Sequence, residues 1–176
     1  MFHPLVPYAF VTEMFDVMCA AASQRGHIFQ VLTKRPGRAV GWWDRNQTRY
    51  GGTWPAGVWI GTSVESQKYA ARVSVLARLP AAVRFVSAEP LLGPVDLRQW
   101  LSRGDVHWVI AGGESGRAAR PMDLDWARDL RDQSLETGVA FFLKQLGGRR
   151  GKRSGEAAVL DGKTWVQMPA MATTPT

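Results

Sequence analysis

Residues 108–116 read Trp108-Val109-Ile110-Ala111-Gly112-Gly113-Glu114-Ser115-Gly116, an apolar run that stops at glycines and continues with a carboxylate and a hydroxyl. Aromatic and β-branched residues favour a buried strand, and glycines let the backbone approach a ligand or a neighbouring segment closely. The stretch therefore predicts a buried parallel strand that ends in a tight polar loop.

Four more stretches run in the same way from apolar to polar residues. They span residues 27–36, 58–66, 83–90 and 139–145. About 20 residues separate successive stretches, which is enough for the crossover that joins parallel strands. We therefore expect an α/β fold, a partial βα (TIM-like) barrel with about five parallel strands, because a complete eight-stranded barrel takes about 250 residues.

The segments between these runs carry signals for helices and for one hairpin. Apolar spacing and capping residues indicate the helices, and Asp161-Gly162 indicates a hairpin turn. Ser63 or Ser66 is expected to cap the helix that follows the second strand, and Asp123 to cap the last helix. The predicted helices span about Tyr8 to Ser23, Gln67 to Leu79, Leu97 to Ser102 and Asp125 to Thr137.

The chain has 176 residues and a hydrophobic content of 45%, which suffices for one buried core. We expect a single domain over residues 1–168, with a basic loop and the small hairpin in 147–168, and a disordered tail over 169–176. The sequence shows no signal peptide and no apolar run of about 20 residues, which predicts a cytoplasmic protein without membrane contact. The single Cys19 predicts a small core residue on the first helix.

Parallel α/β sheets place functional groups at the carboxyl ends of their strands. Ten polar residues are therefore expected to converge on one rim: Lys34, Arg35, Ser63, Glu65, Ser87, Glu89, Glu114, Ser115, Lys144 and Gln145. The three carboxylates among them could bind an amino group, coordinate Mg²⁺ or transfer protons. Alternatively, each could form an ion pair with Arg35, Arg120 or Lys144 across the rim.

The net charge of +7 suggests a polyanionic partner if the cations cluster. Much of the excess lies in Arg149, Arg150, Lys152 and Arg153, which could bind a nucleic acid or phosphate, although a solvated loop explains them equally well. The aromatic and basic residues of 42–54 could stack bases, but a helix face packed on the barrel wall is the more common reason for such a mixture.

Dedicated nucleotide, zinc and serine-hydrolase motifs are missing from the sequence. It contains no GxGxxG, GxxxxGK[ST], HExxH or GxSxG pattern. His27 and His107 precede their strands and so lie at the wrong end for a rim site. Zinc hydrolysis and serine hydrolysis are therefore disfavoured, and we assign no metal ligand in this chain.

Five motifs together resemble a phage-associated family of unknown function, labelled after phage gene products thirty-seven and sixty-eight. The resemblance covers about residues 1–168, and its motifs occur in the family's order. They are Phe-Gln-Val-Leu-Thr-Lys-Arg-Pro at 29–36, Trp-Ile-Gly-Thr-Ser-Val-Glu at 59–65, Arg-Phe-Val-Ser-Ala-Glu-Pro-Leu-Leu-Gly-Pro at 84–94, the run at 109–116 with Arg120-Pro121-Met122, and Phe-Phe-Leu-Lys-Gln at 141–145.

Members of that family resemble radical S-adenosylmethionine barrels and carry, ahead of the region seen here, a three-cysteine motif for an iron-sulfur cluster and a further strand. The resemblance implies an amino-terminally shortened radical S-adenosylmethionine-like protein of unknown activity, inactive without the cluster-binding region. A cluster cannot be assembled from Cys19 alone, because its irons need several thiolates. S-adenosylmethionine and the cluster are thus expected for a full-length relative and not for this chain alone.

The resemblance also suggests roles for the rim residues. Polar groups of S-adenosylmethionine or of a substrate would meet Ser63, Glu65, Ser87, Glu89, Gly112, Gly113, Glu114 and Ser115. A substrate or an anionic group would meet Lys34, Arg35, Arg120, Lys144 and Gln145. Two alternatives stay open: a non-catalytic module that binds nucleic acid or phosphate, and a small-molecule enzyme assisted by a metal held on the glutamates.

Overall fold

The computed structural model describes residues 1–148 and 158–170. Five parallel strands alternate with helices and lie side by side in the order of the sequence. The strands are β1 (Phe29–Thr33), β2 (Val58–Ser63), β3 (Arg84–Ala88), β4 (Trp108–Gly112) and β5 (Ala140–Gln145). This confirms the predicted α/β class and is consistent with a partial βα barrel.

Within the described residues, five α-helices accompany the sheet, and a small hairpin follows it. The helices are α1 (Tyr8–Arg25), α2 (Pro36–Asn46), α3 (Ala71–Leu76), α4 (Arg98–Leu101) and α5 (Leu124–Glu136). The predicted hairpin at Asp161-Gly162 is confirmed as β6 (Val159–Leu160) and β7 (Lys163–Thr164). The predicted cap is also confirmed, because the Asp123 side chain accepts a hydrogen bond from the backbone N–H of Asp125 at the start of α5.

The helix predicted from Gln67 to Leu79 is shorter than expected. A 3₁₀ turn at Gln67–Tyr69 comes first, and α3 starts only at Ala71. Neither serine caps it: Ser63 lies within β2, and the backbone carbonyl of Ser66, rather than its side chain, accepts from the N–H of Tyr69. The carbonyl closes the tight turn directly, so a side-chain cap is not needed.

Side chains alternate between the two faces of the sheet, because successive residues of a strand point in opposite directions. One face packs against the helices through apolar residues such as Val86, Val109 and Phe141. We call the opposite face the inner face. It carries a separate cluster built on Trp59, Val83, Phe85 and Trp108, with Ile110, Ala140 and Phe142 packed against it.

Near β1 and β2, the helix face is filled by aromatic rings. Trp42 is fully buried, its ring lies 4.6 Å from that of Phe15, and its N–H donates to the Thr12 hydroxyl. Trp43 and Trp54 are 3% exposed. This confirms that the aromatic segment packs on the barrel wall, and these indoles are therefore not available to stack bases. Cys19 lies on α1, half-buried against the same cluster.

The far edge of the sheet is covered by the segment that follows the hairpin. The carbonyl of Trp165 accepts from the N–H of Leu143, and the N–H of Gln167 donates to the carbonyl of Phe141. Asp161 accepts hydrogen bonds from Arg128 and Arg131 of α5, which ties the hairpin to that helix. The free edge of β5 is thereby paired.

Two predictions concern residues that fall wholly or partly outside the described ranges. Arg149, Arg150, Lys152 and Arg153 lie outside them, as do residues 171–176 of the predicted tail. Within residues 1–148 and 158–170, no helix combines the length and the apolar character that a membrane crossing requires.

Replacing Gly61 by Ala should destabilise the fold. A Cβ at this buried strand position would lie 2.3 Å from the ring of Phe85, which is itself buried on the inner face. Overpacking of this kind costs about 1–3 kcal/mol, and urea denaturation would measure it. Gly37→Ala is the matched control, because a Cβ there meets nothing closer than 3.9 Å. Equal stability of Gly61→Ala and the wild type would contradict the close packing described above.

Candidate functional site

A cavity of about 390 Å³ opens on the inner face, toward the carboxyl ends of the strands. Its wall is mostly apolar, with a few polar groups from β1, β3 and β5. The lining residues are Gln30, Leu32, Phe85, Ser87, Glu89, Trp108, Ile110, Phe142, Lys144 and Met168. Ligand pockets commonly have this size and this balance of apolar and polar groups.

Strand register explains why these residues meet. Leu32 lies beside Gly61, Gly61 beside Phe85, and Phe85 beside Trp108, so that they form one row across the inner face. The next row toward the carboxyl ends holds Ser63, Ser87, Ile110 and Phe142. Polarity therefore increases from row to row toward the rim.

Glu89 and Lys144 form an ion pair at the polar end of the cavity. The Lys144 Nζ lies 2.9 Å from a carboxylate oxygen of Glu89, and the lysine side chain is 45% exposed. Glu89 lies over Gly112, where a Cβ would come within 3.4 Å of its carboxyl group. Its loop is fixed on both sides, because Leu91 N–H donates to the carbonyl of Gly112 and Leu92 N–H to that of Glu65.

Glu65 is buried at the carboxyl end of β2 between two cations. Its carboxylate pairs with Lys34 and, at 3.1 Å, with Arg72, whose guanidinium also donates to the carbonyl of Ser63. Burial raises the pKa of Glu65, but its hydrogen bonds and its two cations outweigh burial, so that the pKa falls below its ordinary value. Glu65 is thus a charged anchor between the first two strand ends and α3.

Glu114 forms the third ion pair, in the loop after β4. Arg120 binds it with two guanidinium contacts of 2.7 and 2.8 Å, and the backbone N–H of Arg120 adds a third at 2.9 Å. The Arg120 side-chain hydrogen bonds lower the pKa of Glu114 to about 2. Each of the three glutamates is thus paired with cations that the other two do not share. Glu65 uses Lys34 and Arg72, and not the Arg35 that the sequence suggested.

The remaining rim residues predicted as binders support the loops. Gly113 has no room for a Cβ, which would lie 2.4 Å from the carbonyl oxygen of Leu146. The Gln145 amide donates to the carbonyl of Gly113, and Ser115 forms a β-bridge with Gly148. Arg35 precedes α2 and is exposed. Of the predicted site residues, only Ser87, Glu89 and Lys144 line the cavity.

Sequence reasoning missed most of the cavity wall: Gln30, Leu32, Phe85, Trp108, Ile110, Phe142 and Met168. Reading each strand as one apolar run hides the two faces of the sheet. The alternation of Trp108 and Ile110 with Val109 and Ala111 was the available signal, because a period of two separates one face from the other.

Metal-ligating groups do not gather in the described residues. Within 1–148 and 158–170, no group of three or more histidine, cysteine, aspartate and glutamate side chains is placed to hold a metal ion. Cys19 lies in the helix layer, on the other side of the sheet from the cavity. The thiolates that an iron-sulfur cluster needs are therefore not supplied by this sequence.

Residues 1–169 match the family described as "Protein of unknown function (DUF5131)". The chain belongs to this family. No curated protein and no solved structure matches it. Membership in DUF5131 confirms the expected resemblance to a family of unknown function, whereas the phage association and the radical S-adenosylmethionine relationship stay predictions.

Replacing Glu65 by Gln should lower the free energy of unfolding by about 1–2 kcal/mol at pH 7, because Lys34 and Arg72 lose their shared carboxylate. A carboxylate with a lowered pKa stabilises the fold above the pKa it has in the unfolded chain, and this contribution is lost as the pH falls through its folded-state pKa. The difference between wild type and Glu65→Gln should therefore shrink below about pH 4.

Urea denaturation between neutral and acidic pH checks this expectation. Glu136→Gln is the control, since Glu136 is exposed and 3.6 Å from its arginine partner. A difference between wild type and Glu65→Gln that stays constant with pH would exclude the charge of Glu65 as the cause.

Proposed function

We propose that the inner-face cavity binds a small molecule, as the ligand-binding part of a radical S-adenosylmethionine-like barrel. The observation that carries the proposal is the convergence of Ser87, Glu89 and Lys144, from the ends of β3 and β5, on one end of an apolar cavity. Parallel α/β folds bind ligands at this end of their strands.

The donor set of the cavity suits S-adenosylmethionine. Trp108, Phe142 and Ile110 offer apolar contacts for a flat purine. The hydroxyl of Ser87 and the amide of Gln30 would hold sugar hydroxyls, and Glu89 with Lys144 would hold the zwitterionic amino acid end. The bound cofactor supplies radical chemistry once a reduced cluster is present. This sequence does not supply the cluster ligands, so we expect the chain alone to bind without turnover.

The two alternative functions have less support. The indoles of Trp42, Trp43 and Trp54 are buried and offer no face to a nucleobase. For metal-assisted chemistry, Glu65, Glu89 and Glu114 would have to share one ion, but each is already paired with a different cation. Binding of a small molecule does not require the three glutamates to share an ion, and it uses the cavity side chains in the positions described above.

Met168→Glu should weaken binding of S-adenosylhomocysteine at least tenfold, which corresponds to about 1.4 kcal/mol. The substitution puts a carboxylate in the apolar wall, and Met168 is half exposed, so that the fold tolerates it. Isothermal titration calorimetry measures the affinity. Val159→Glu, equally exposed and outside the cavity, should bind like the wild type. No binding to the wild type, or equal binding to Met168→Glu, would refute the site.

Lys144→Met should remove the preference for a ligand with an amino acid end. Lys144 would form a charge-assisted hydrogen bond with the ligand carboxylate, a contact worth about 1.5–3 kcal/mol. The wild type should therefore bind S-adenosylhomocysteine about tenfold or more tightly than 5′-methylthioadenosine, and Lys144→Met should bind both alike. The control is Lys163→Met, because Lys163 lies over the Trp165 ring on the hairpin. A preference that survives in Lys144→Met would assign the carboxylate elsewhere.

A further inference from the structure

Two arginines of α2 share one aromatic ring. The guanidinium carbons of Arg38 and Arg45 lie 4.6 and 5.5 Å from the ring centroid of Tyr8. Gly41 leaves room for this arrangement, because a Cβ there would lie 3.3 Å from the Tyr8 hydroxyl and 3.3 Å from the Arg45 guanidinium. Two positive charges are thus held close together, although each repels the other.

Hydrogen bonds to backbone carbonyls fix both guanidinium groups. Arg38 donates to the carbonyl of Val6, and Arg45 donates to the carbonyl of Gly41. The Tyr8 hydroxyl donates to the carbonyl of Arg38 over 3.4 Å, which holds the ring against α2. Each guanidinium carries five N–H groups and uses one of them in these contacts, so donors remain for a further acceptor.

Within residues 1–148 and 158–170, no carboxylate forms an ion pair with either of these arginines. Asp44 is the one acidic residue of α2, and it lies about 100° around the helix from Arg45. Other arginines of the surface do have such partners, among them Arg98, Arg120 and Arg128. The two cations of α2 can therefore pair with an anion from another molecule.

Arg35 extends the pair into a longer row of positive charge. It immediately precedes α2 and is exposed, like Arg45. Viewed down the helix axis, positions 35, 38 and 45 fall within about 80° of one another, and they extend over about 15 Å along the axis. The amino-terminal end of the helix adds partial positive charge next to Arg35 and Arg38. We call Arg35, Arg38 and Arg45 the arginine stripe.

The chemistry of the arginine stripe suits a row of phosphates. A guanidinium can bind a phosphate through two parallel hydrogen bonds. A stripe about 15 Å long is longer than one phosphate needs, whereas a nucleic acid strand presents several phosphates over that distance. The net charge of +7 attracts such a polyanion. Contacts with phosphates need no exposed aromatic ring, so the burial of Trp42 and Trp43 does not count against this surface.

We propose that the arginine stripe binds the phosphate backbone of a nucleic acid without reading its sequence. This surface is separate from the inner-face cavity, because α2 packs on the other face of the sheet. The proposal therefore goes beyond small-molecule binding and does not depend on it.

Fluorescence anisotropy with a labelled single-stranded DNA of about 20 nucleotides tests the proposal. Replacing Arg35 and Arg45 together by Gln should weaken binding at least tenfold at about 50 mM salt, because two phosphate contacts are lost. The slope of log affinity against log salt should become shallower by about 1.4. Replacing both residues by Lys keeps the charges and should preserve most of the slope. Both positions are exposed, so the fold tolerates these changes.

Arg78→Gln combined with Arg103→Gln is the matched control. It removes the same number of charges at two exposed positions, in the connections that lead into β3 and β4, and should bind DNA like the wild type. Phenylglyoxal, which modifies accessible arginines, gives a second measurement: DNA should protect Arg35 and Arg45 but not Arg78 and Arg103. A wild type that does not bind, equal losses in the two Gln variants, or no protection of Arg35 and Arg45 would overturn the proposal.

Discussion

The parallel register of five consecutive strands is the constraint on which the rest of the molecule depends. Since every strand runs the same way, all polar strand ends meet at one rim. Since each strand also lies beside the one before it in the sequence, right-handed crossovers place the helices on one face. The pleat then divides each strand, so that Val109 joins the helix-face core while Trp108 and Ile110 face inward. The cavity is the consequence, because Gly61 and Gly112 leave space for the side chains of Phe85 and Glu89.

The three glutamates at the rim differ in how deeply they are buried and in how their charge is compensated. A carboxylate as buried as Glu65 is stable only with compensating charge, which Lys34 supplies from just after β1 and Arg72 from α3. Glu114 is more exposed and rests on a two-pronged contact with Arg120 within its own loop. The pair of Glu89 and Lys144 differs from both, because both of its side chains line the cavity. This difference makes it the pair best suited to exchange its contacts for those of a ligand.

Much of this arrangement follows from the sequence alone. The change from apolar to polar residues located all five strands and their shared rim, and Asp123 and Asp161-Gly162 marked a cap and a turn by local chemistry. Contacts between distant parts of the chain were harder to foresee. Arg72 reaches Glu65 from the first turn of α3, which a 3₁₀ turn precedes, and Met168 reaches the cavity from the segment that pairs with β5. Neither contact has a local sequence signal.

The order of the strands also bears on how the protein is made. Each strand pairs with the one synthesised just before it, so the sheet grows in the direction of translation and every new strand finds its neighbour already in place. The segment that covers β5 is translated after all five strands. A nascent chain therefore exposes its growing edge on the ribosome until Trp165 and Gln167 have emerged, which is the interval in which chaperones would be needed most.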